Sequence, residues 1–565
     1  MIGLSGLDAK EAGARNRDAM SETGAFFKDK TLLVTGGTGF LGKVLLERIL
    51  WQLPQIRRIV LLIRSHSNKD PEAAVCLRAQ REIFSSSIFN RLRARHGRRF
   101  EAFLRDKIEI VPGDVSCPDL GLPAHSPQKF EWEVDIIVNL AALVGFDERL
   151  DHAVNANALG PYHLLNFAKR FGKPTMLHVS TAFVSGRCTG SVPEQVLEPN
   201  VSPFEMMGIS DDEPFSVERE IDRVRRLAEA VESESRTPSA RSEFRRAARP
   251  QLPSGRSPSP VELNSSAEKN RQRWVSRILS QDGLSRARRY GWFDTYTFTK
   301  AIGEQLLVKS GNGVPLIILR PSIIESSLMQ PEPGWIDCFQ TSTPILFGYG
   351  KGEVPDFPGK RKSLIDFIPV DFVASALLAS LTAGTEGTNP KVFHLASSSE
   401  NPLRLEDLME YCLQYFRDFP LRGRSNTTAL QPWKYRSRHN FNWWLGRRRQ
   451  MLRTAVALND HMNFWPGAAR LSHKLAVKQM HLERLEYYAR LYADYTRLFC
   501  QFTTDNTRRL FQSLTSQERQ EFFFDPTVID WQKYIQEIHL PGVRRHVMKR
   551  TGAGDLKSVA AKAPC

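Results

Sequence analysis

Across residues 25–400, short aliphatic and β-branched runs alternate with longer stretches whose apolar positions recur every three or four residues. Segments 31–35, 59–63, 108–111, 136–138, 176–179 and 315–319 have the length and composition of strands buried on both faces. Between the first two, Val44, Leu45, Leu46, Ile49 and Leu50 follow helical spacing. Strands alternating with helices predict an α/β fold, a Rossmann-type doubly wound parallel sheet covered by helices.

The pattern breaks at two places. Residues 232–273 are rich in Ser, Pro, Arg and Glu with almost no aliphatic periodicity, which predicts a disordered insertion flanked by helices near 216–231 and 274–289. From 401 to 548 the alternation gives way to mostly helical spacing, which predicts a second, C-terminal helical domain. Residues 1–24 read as a flexible leader and 549–565 as a flexible tail.

Composition narrows the class. Hydrophobic residues make up 41% and charged residues 25%, as in a globular protein. The formal net charge of +16 favours anionic partners without choosing among phosphorylated cofactors, lipid and nucleic acid. Seven cysteines stand singly, so neither a disulfide framework nor a metal site is expected, and a reducing, cytoplasmic setting follows. The N-terminal residues lack a signal-peptide pattern and no run reaches about 18 apolar residues, which predicts a protein that is not secreted and has no transmembrane helix. Contact with a membrane surface stays open.

Gly36, Gly39 and Gly42 follow the first strand and open the first helix. The first permits a tight turn, the second lets backbone approach a pyrophosphate, and the third packs helix against strand. With Thr38, Phe40 and Leu41 they form a candidate dinucleotide cradle, in which phosphates meet the unpaired N–H groups of a helix N-terminus. After the second strand no acid precedes Asp70, whereas Arg64 is present. An acid there would repel a ribose 2′-phosphate and an arginine would pair with it, so NADPH is expected over NADH unless Arg64 is simply solvated. Asp114, followed by Val115, either bonds the adenine edge or caps the next turn. Ala141 and Ala142 are small enough to let backbone pass close to a cofactor, or are plain close packing.

Tyr296 and Lys300 lie at i and i+4, hence on one helix face. The ammonium is expected to lower the phenol's pKa and to reach the nicotinamide ribose. Ser180 and Thr181 end the fifth apolar run, where a hydroxyl can bond a carbonyl oxygen that gains charge as hydride arrives. Adjacent strand residues face opposite ways, so only one of them faces the cofactor. His178 reads as a packed strand residue.

Taken together, segments 36–47, 138–142, 179–183, 296–300, 319–324 and 366–371 resemble the extended short-chain dehydrogenases called fatty acyl-CoA reductases. Segments 290–304 and 333–337 are similar to the bacterial alcohol-forming branch, and 524–534 with 539–542 to the family's helical C-terminal domain. The likeness runs from Phe27 to Met548 outside the insertion. It implies NADPH as cofactor, with Tyr296 and Lys300 as catalytic residues and Thr181 as their third member. The implied reaction, in fatty alcohol and wax ester formation, reduces a long-chain fatty acyl-CoA or acyl carrier protein thioester through an aldehyde to a primary alcohol. Rivals are an aldehyde-forming reductase, another extended short-chain oxidoreductase or epimerase, and a non-enzymatic NADPH sensor. The intact Tyr296/Lys300 pair speaks against the sensor.

Residues 433–453 combine Trp433, Trp443 and Trp444 with Arg447, Arg448, Arg449 and Arg453. Basic heads with tryptophans suit a lipid headgroup region. They also suit single-stranded nucleic acid, or a packed helix pair with solvated arginines. An acyl substrate makes peripheral membrane contact the functional choice, and no nucleic-acid partner is expected.

Overall fold

The computed structural model describes residues 21–65, 67, 69–122, 134–249, 259–384, 389–421, 430–461 and 467–548. Its central sheet has seven strands: β1 (Thr31–Thr35), β2 (Arg58–Ile63), β3 (Ile108–Pro112), β4 (Ile136–Asn139), β5 (Thr175–Val179), β6 (Leu316–Pro321) and β7 (Lys391–Leu395). They lie in the order β7-β6-β5-β4-β1-β2-β3, all parallel. The order reverses between β1 and β4, where Thr35 pairs with Asn139. A crevice forms at the carboxyl ends of the strands at such a point.

Alternate side chains feed two apolar layers, because successive strand residues point to opposite faces. Leu32, Val34, Val138, Leu177 and Leu319 pack on one side with α1 (Phe40–Gln52) and the helix Val370–Thr382. Leu33, Val60, Ile137, Met176 and Ile318 pack on the other with the helix Gly160–Arg170. Six strands coincide with the apolar runs of the sequence. The seventh carries His394, which is fully buried with Nδ1 3.0 Å from the Thr503 carbonyl. A satisfied polar side chain inside a strand hides it from a hydrophobicity pattern.

Where it is described, the insertion is helical, not disordered. α2 (Val217–Ser235), α3 (Pro238–Ala248) and α4 (Pro260–Tyr290) cover residues 232–235, 238–248 and 260–273 of it, and 250–258 lie outside the described residues. Thr237 caps α3, and a Ser259/Glu262 capping box opens α4, each just before a proline at the first turn. Arg271 pairs with both Glu232 and Glu268, and Phe244, Ala248 and Ala267 form a small core against Trp274. Caps and ion pairs hold helices whose few apolar residues are too sparse to show a period.

Two further expectations are corrected. Residues 1–20 of the expected leader and the tail 549–565 lie outside the described residues. Glu22–Phe27, however, is an ordered helix, with the Thr23 N–H and hydroxyl both donating to Glu518 Oε1 at 2.7 Å. The region beyond 401 is mostly helical, but among the described residues it does not bury a core of its own. Leu405, Leu408, Met409, Cys412 and Phe416 join Phe347, Val373 and Leu377 in one apolar cluster. Among the described residues no helix is long and apolar enough to cross a membrane.

Three more helices matter below: α5 (Thr295–Ser310), α6 (Arg438–His461) and α7 (Ala468–Tyr492). The basic aromatic stretch is not one surface. Trp433 is buried against Tyr349 and Phe357, with ring centroids 5.3 and 5.7 Å away, while Trp443 on α6 is 60% exposed.

Candidate active site

The β1–α1 turn is built for close approach. Gly36 has φ +70°, and a Cβ there would lie 2.5 Å from the Leu140 carbonyl carbon. A Cβ on Gly42 would lie 2.3 Å from the Gly36 oxygen, so α1 can meet the turn only without side chains. Gly39 caps α1 without a side-chain bond, which leaves its first-turn N–H groups to a ligand. Thr38, Gly39, Phe40 and Leu41 are partly exposed there, and Phe40 stacks on buried Trp335 at 5.7 Å. Across the crevice, Asn139 Oδ1 accepts from the Thr35 hydroxyl at 2.7 Å and from the Ala141 N–H at 3.2 Å. Ala141 and Ala142 are thereby held, half-buried, opposite the glycine turn. These residues fit a dinucleotide.

Arg64 stands exposed just beyond β2, its carbonyl accepting from Arg78 Nη1 at 2.9 Å. Asp114 takes the capping role left open above: its Oδ1 accepts from the Ser116 N–H at 2.9 Å and from the Ser116 hydroxyl at 2.7 Å. Val115 follows, its carbonyl 2.9 Å from His163 Nδ1.

The proton-transfer set assembles where β5, β6 and α5 meet. Asp294 caps α5 by accepting from the Thr297 N–H at 2.8 Å, which places Tyr296 on the first turn and Lys300 one turn later. Lys300 Nζ is buried and donates to the carbonyl of Val179, the last residue of β5, at 2.7 Å. Two residues on, the Thr181 hydroxyl donates to the Pro321 carbonyl at the end of β6, 3.3 Å away, and lies near enough to the Tyr296 phenol to favour its ionised form. The neighbouring Ser180 hydroxyl is buried with no hydrogen bond among the described residues. Of the two strand-end hydroxyls, Thr181 is the one that acts on the phenol.

One electrostatic expectation is reversed. Burial, and then the nearby Asp294 carboxylate, push the Tyr296 phenol above its ordinary pKa, with the Thr181 hydrogen bond acting in the opposite direction. Burial lowers Lys300 to about 7 against the opposing effect of Glu304. An ammonium tied to a backbone carbonyl and depleted in charge does little to stabilise a phenolate. The phenol stays protonated, the state a proton donor requires. His178 is buried neutral, pushed down by burial and by Lys300, as a packed residue should be.

Several site residues were not legible beforehand. Asn157 Nδ2 donates to the Leu143 carbonyl at 2.9 Å and to the Thr299 hydroxyl at 3.0 Å, pinning the β4 loop to α5. Asp294 also accepts from the Tyr495 hydroxyl, and Phe146 lies 6.4 Å from Tyr296 and 5.2 Å from Tyr495, ring to ring. Buried Glu304 pairs with Arg320 behind the site. Asp294 carries a weak signal as a helix-cap residue, whereas Asn157, inside the helical segment Val154–Leu159, and Tyr495 carry none.

Comparison with known proteins identifies the family and the fold. Two family models, both described as male sterility protein, match residues 34–377 and 469–550. The chain is 32% identical over 542 residues to the chloroplastic fatty acyl-CoA reductase 2 of Arabidopsis thaliana, covering 93% of this chain and 79% of that protein. It is 30% identical over 539 residues to the alcohol-forming fatty acyl-CoA reductase of Simmondsia chinensis, covering 94% of this chain and 100% of the relative. Among solved structures, the terminal R domain of the myxalamid PKS-NRPS pathway superposes with a TM-score of 0.52 at 18% identity, covering 92% of each chain. The reductase domain of a Mycobacterium tuberculosis non-ribosomal peptide synthetase gives 0.51 at 18% identity, covering 93% of this chain and 96% of that one. At this identity the two structures establish a shared fold.

Proposed function

This chain belongs to the fatty acyl-CoA reductase family, and on that premise we propose how it reduces fatty acyl thioesters to alcohols. The reductant is NADPH, the donors to the reacting oxygen are Tyr296 and Thr181, and Lys300 anchors the nicotinamide ribose. The observation that carries the reading is the meeting of Thr181, Tyr296 and Lys300 at the end of β5, beside the glycine cradle at the reversal of strand order.

When bound, the cofactor supplies a hydride at each of the two reductions. Gly36, Thr38, Gly39, Phe40, Leu41 and Gly42 hold the pyrophosphate, and Arg64 takes the 2′-phosphate. Asp114 and Val115 border the adenine, and Ala141 and Ala142 let the nucleotide pass. Tyr296 and Thr181 bond the acyl oxygen while negative charge develops on it, and collapse of the resulting hemithioacetal expels the thiol. At the second stage the phenol, held protonated by burial, gives its proton to the aldehyde oxygen.

The substrate is a long-chain acyl-CoA, with carrier-protein thioester as the alternative carrier, and the chain is of the alcohol-forming, bacterial type. It acts in the cytoplasm in peripheral contact with a membrane. The test is incubation of the full chain with palmitoyl-CoA and NADPH, following nicotinamide absorbance and extracting products. Hexadecanol is expected. Accumulated aldehyde would make the enzyme aldehyde-forming, and no oxidation of NADPH would overturn the reading.

A further inference from the structure

α6 and α7 form an antiparallel hairpin, Arg449 pairing with Glu486 and Asn459 bonding Ser472, and Phe441, Leu445, Leu475 and Leu485 are its buried positions. The outer face of α6 is a different surface. Trp443, Met451 and Leu458 recur eight and seven positions apart, hence on one side of a helix. That side lies opposite Phe441 and Leu445, and the three residues are 60%, 69% and 59% exposed. Between Trp443 and Met451 in this stripe sits Arg447, its guanidinium 4.8 Å from the Trp443 ring centroid. Large apolar side chains lined up in water on one helix face need an apolar partner.

Charge says which partner. α6 carries five arginines against one aspartate, and α7 five lysines and arginines against two glutamates. Arg448, Arg453, Arg470, Lys474 and Lys478 are exposed and pair with no carboxylate among the described residues. An apolar stripe flanked by unpaired cations matches the boundary between lipid headgroups and acyl chains of an anionic bilayer. Nucleic acid would match the cations but leave Met451 and Leu458 in water.

The hairpin's root adjoins the chemistry. Tyr492, the last residue of α7, packs edge-to-face on Phe146 at 5.3 Å, and Phe146 lies beside Tyr296. The Tyr487 hydroxyl donates to Asp147 Oδ1 at 3.3 Å. We infer that the α6–α7 hairpin is a peripheral anchor on an anionic lipid surface, with Trp443, Met451 and Leu458 entering the headgroup layer and the free arginines and lysines meeting lipid phosphates. This deepens the membrane contact proposed above and rests on it for its purpose, since it brings an acyl-bearing surface to the side of the protein that holds the phenol.

The test is co-sedimentation of the full chain with vesicles of phosphatidylcholine alone, or of phosphatidylcholine containing phosphatidylglycerol. Binding is expected to the anionic vesicles and to weaken as salt rises. Trp443→Ala/Met451→Ala/Leu458→Ala is expected to reduce partitioning by at least about tenfold, and Arg447→Glu/Arg448→Glu/Arg453→Glu by more. Met451→Glu, at an exposed position the fold does not need, serves if the triple variants misfold, and should also weaken binding severalfold. Failure of the unaltered chain to bind anionic vesicles, or equal binding by Met451→Glu, overturns the inference. So does a single-stranded oligonucleotide that binds the apolar triple variant as tightly as the unaltered chain and displaces vesicles. NADPH oxidation with dispersed palmitoyl-CoA is read separately: turnover without vesicle binding removes only the anchor, and vesicle binding without turnover removes only the reductase.

Discussion

The hydroxyl of Tyr495 donates to Asp294 Oδ2 across 2.6 Å, joining the C-terminal region to the cap of the catalytic helix. Asp294 is buried, its carboxyl raised to about 6 by burial against the hydrogen bonds from Thr297 and Tyr495. Its other oxygen holds the Thr297 N–H, so one carboxylate both starts α5 and faces the phenol two residues later. Because Asp294 disfavours the phenolate, its charge is part of what keeps Tyr296 a proton donor.

Asp294→Asn keeps the cap and removes the charge. The phenol is then expected to ionise more readily, which moves the alkaline limb of the kcat/KM profile toward lower pH while kcat at neutral pH changes by less than about tenfold. Tyr495→Phe should instead leave the limb in place and raise KM, since it loosens the helix cap without removing the charge. An unmoved limb in Asp294→Asn would show that the carboxylate does not act on Tyr296.

How much of this was legible beforehand depends on where each partner lies in the chain. β1 to β6 announced themselves because strands buried on both faces are continuous apolar runs, and the glycine turn because each glycine has its own steric reason. Tyr296 and Lys300 showed by helical spacing alone. Tyr495 did not, because its contact with Asp294 closes across 201 positions and no local pattern encodes it. α3 and the first half of α4 were misread because their stability lies in caps, Arg271 ion pairs and a small core around Phe244, Ala248 and Ala267, whereas the second half of α4 falls on the helix expected near 274–289. The direction of the Tyr296 shift was misjudged because spacing places Lys300 near the phenol, whereas its Nζ is turned to the Val179 carbonyl.

Tyr296→Phe removes the proton and keeps the ring against Phe146. A general acid is worth about 10²–10⁴ in rate, so kcat with palmitoyl-CoA is expected to fall by that much. NADPH affinity, read by fluorescence quenching, should stay within about threefold, because the phosphate cradle is untouched. Near-normal turnover would dismiss the phenol as donor.

Arg64 is exposed and its guanidinium has no hydrogen bond or ion pair among the described residues, so its removal should leave the fold alone. A charge-assisted bond to a 2′-phosphate contributes about 1.5–3 kcal/mol, or roughly ten- to a hundredfold in KM. Arg64→Ala is expected to raise KM for NADPH by that factor and leave KM for NADH unchanged. Equal effects on both cofactors would move 2′-phosphate recognition elsewhere.

The buried pair Glu325 and His539 should write itself into stability against pH. Glu325 Oε2 and His539 Nε2 face each other at 3.8 Å, each without a hydrogen bond. Burial raises the carboxyl to about 7, against hydrogen bonds from Ser342 and Thr341. Burial also lowers the imidazole to about 4. The folded state therefore binds the carboxyl proton more tightly than the unfolded chain, whose carboxyl titrates near 4.5. Stability from this group is full below that value, falls as pH rises toward 7, and stays lost above it. The imidazole acts oppositely, losing stability as pH drops from its ordinary 6.5 toward 4. Glu325→Gln keeps an acceptor for Ser342 and Thr341 and turns an N–H₂ donor toward His539, so it removes only the first effect. Its melting temperature should exceed that of the unaltered chain at pH 8, by the equivalent of about 1–3 kcal/mol, and approach it near pH 4.5. A Gln variant that is less stable at pH 8 would mean the carboxylate is paired in solution.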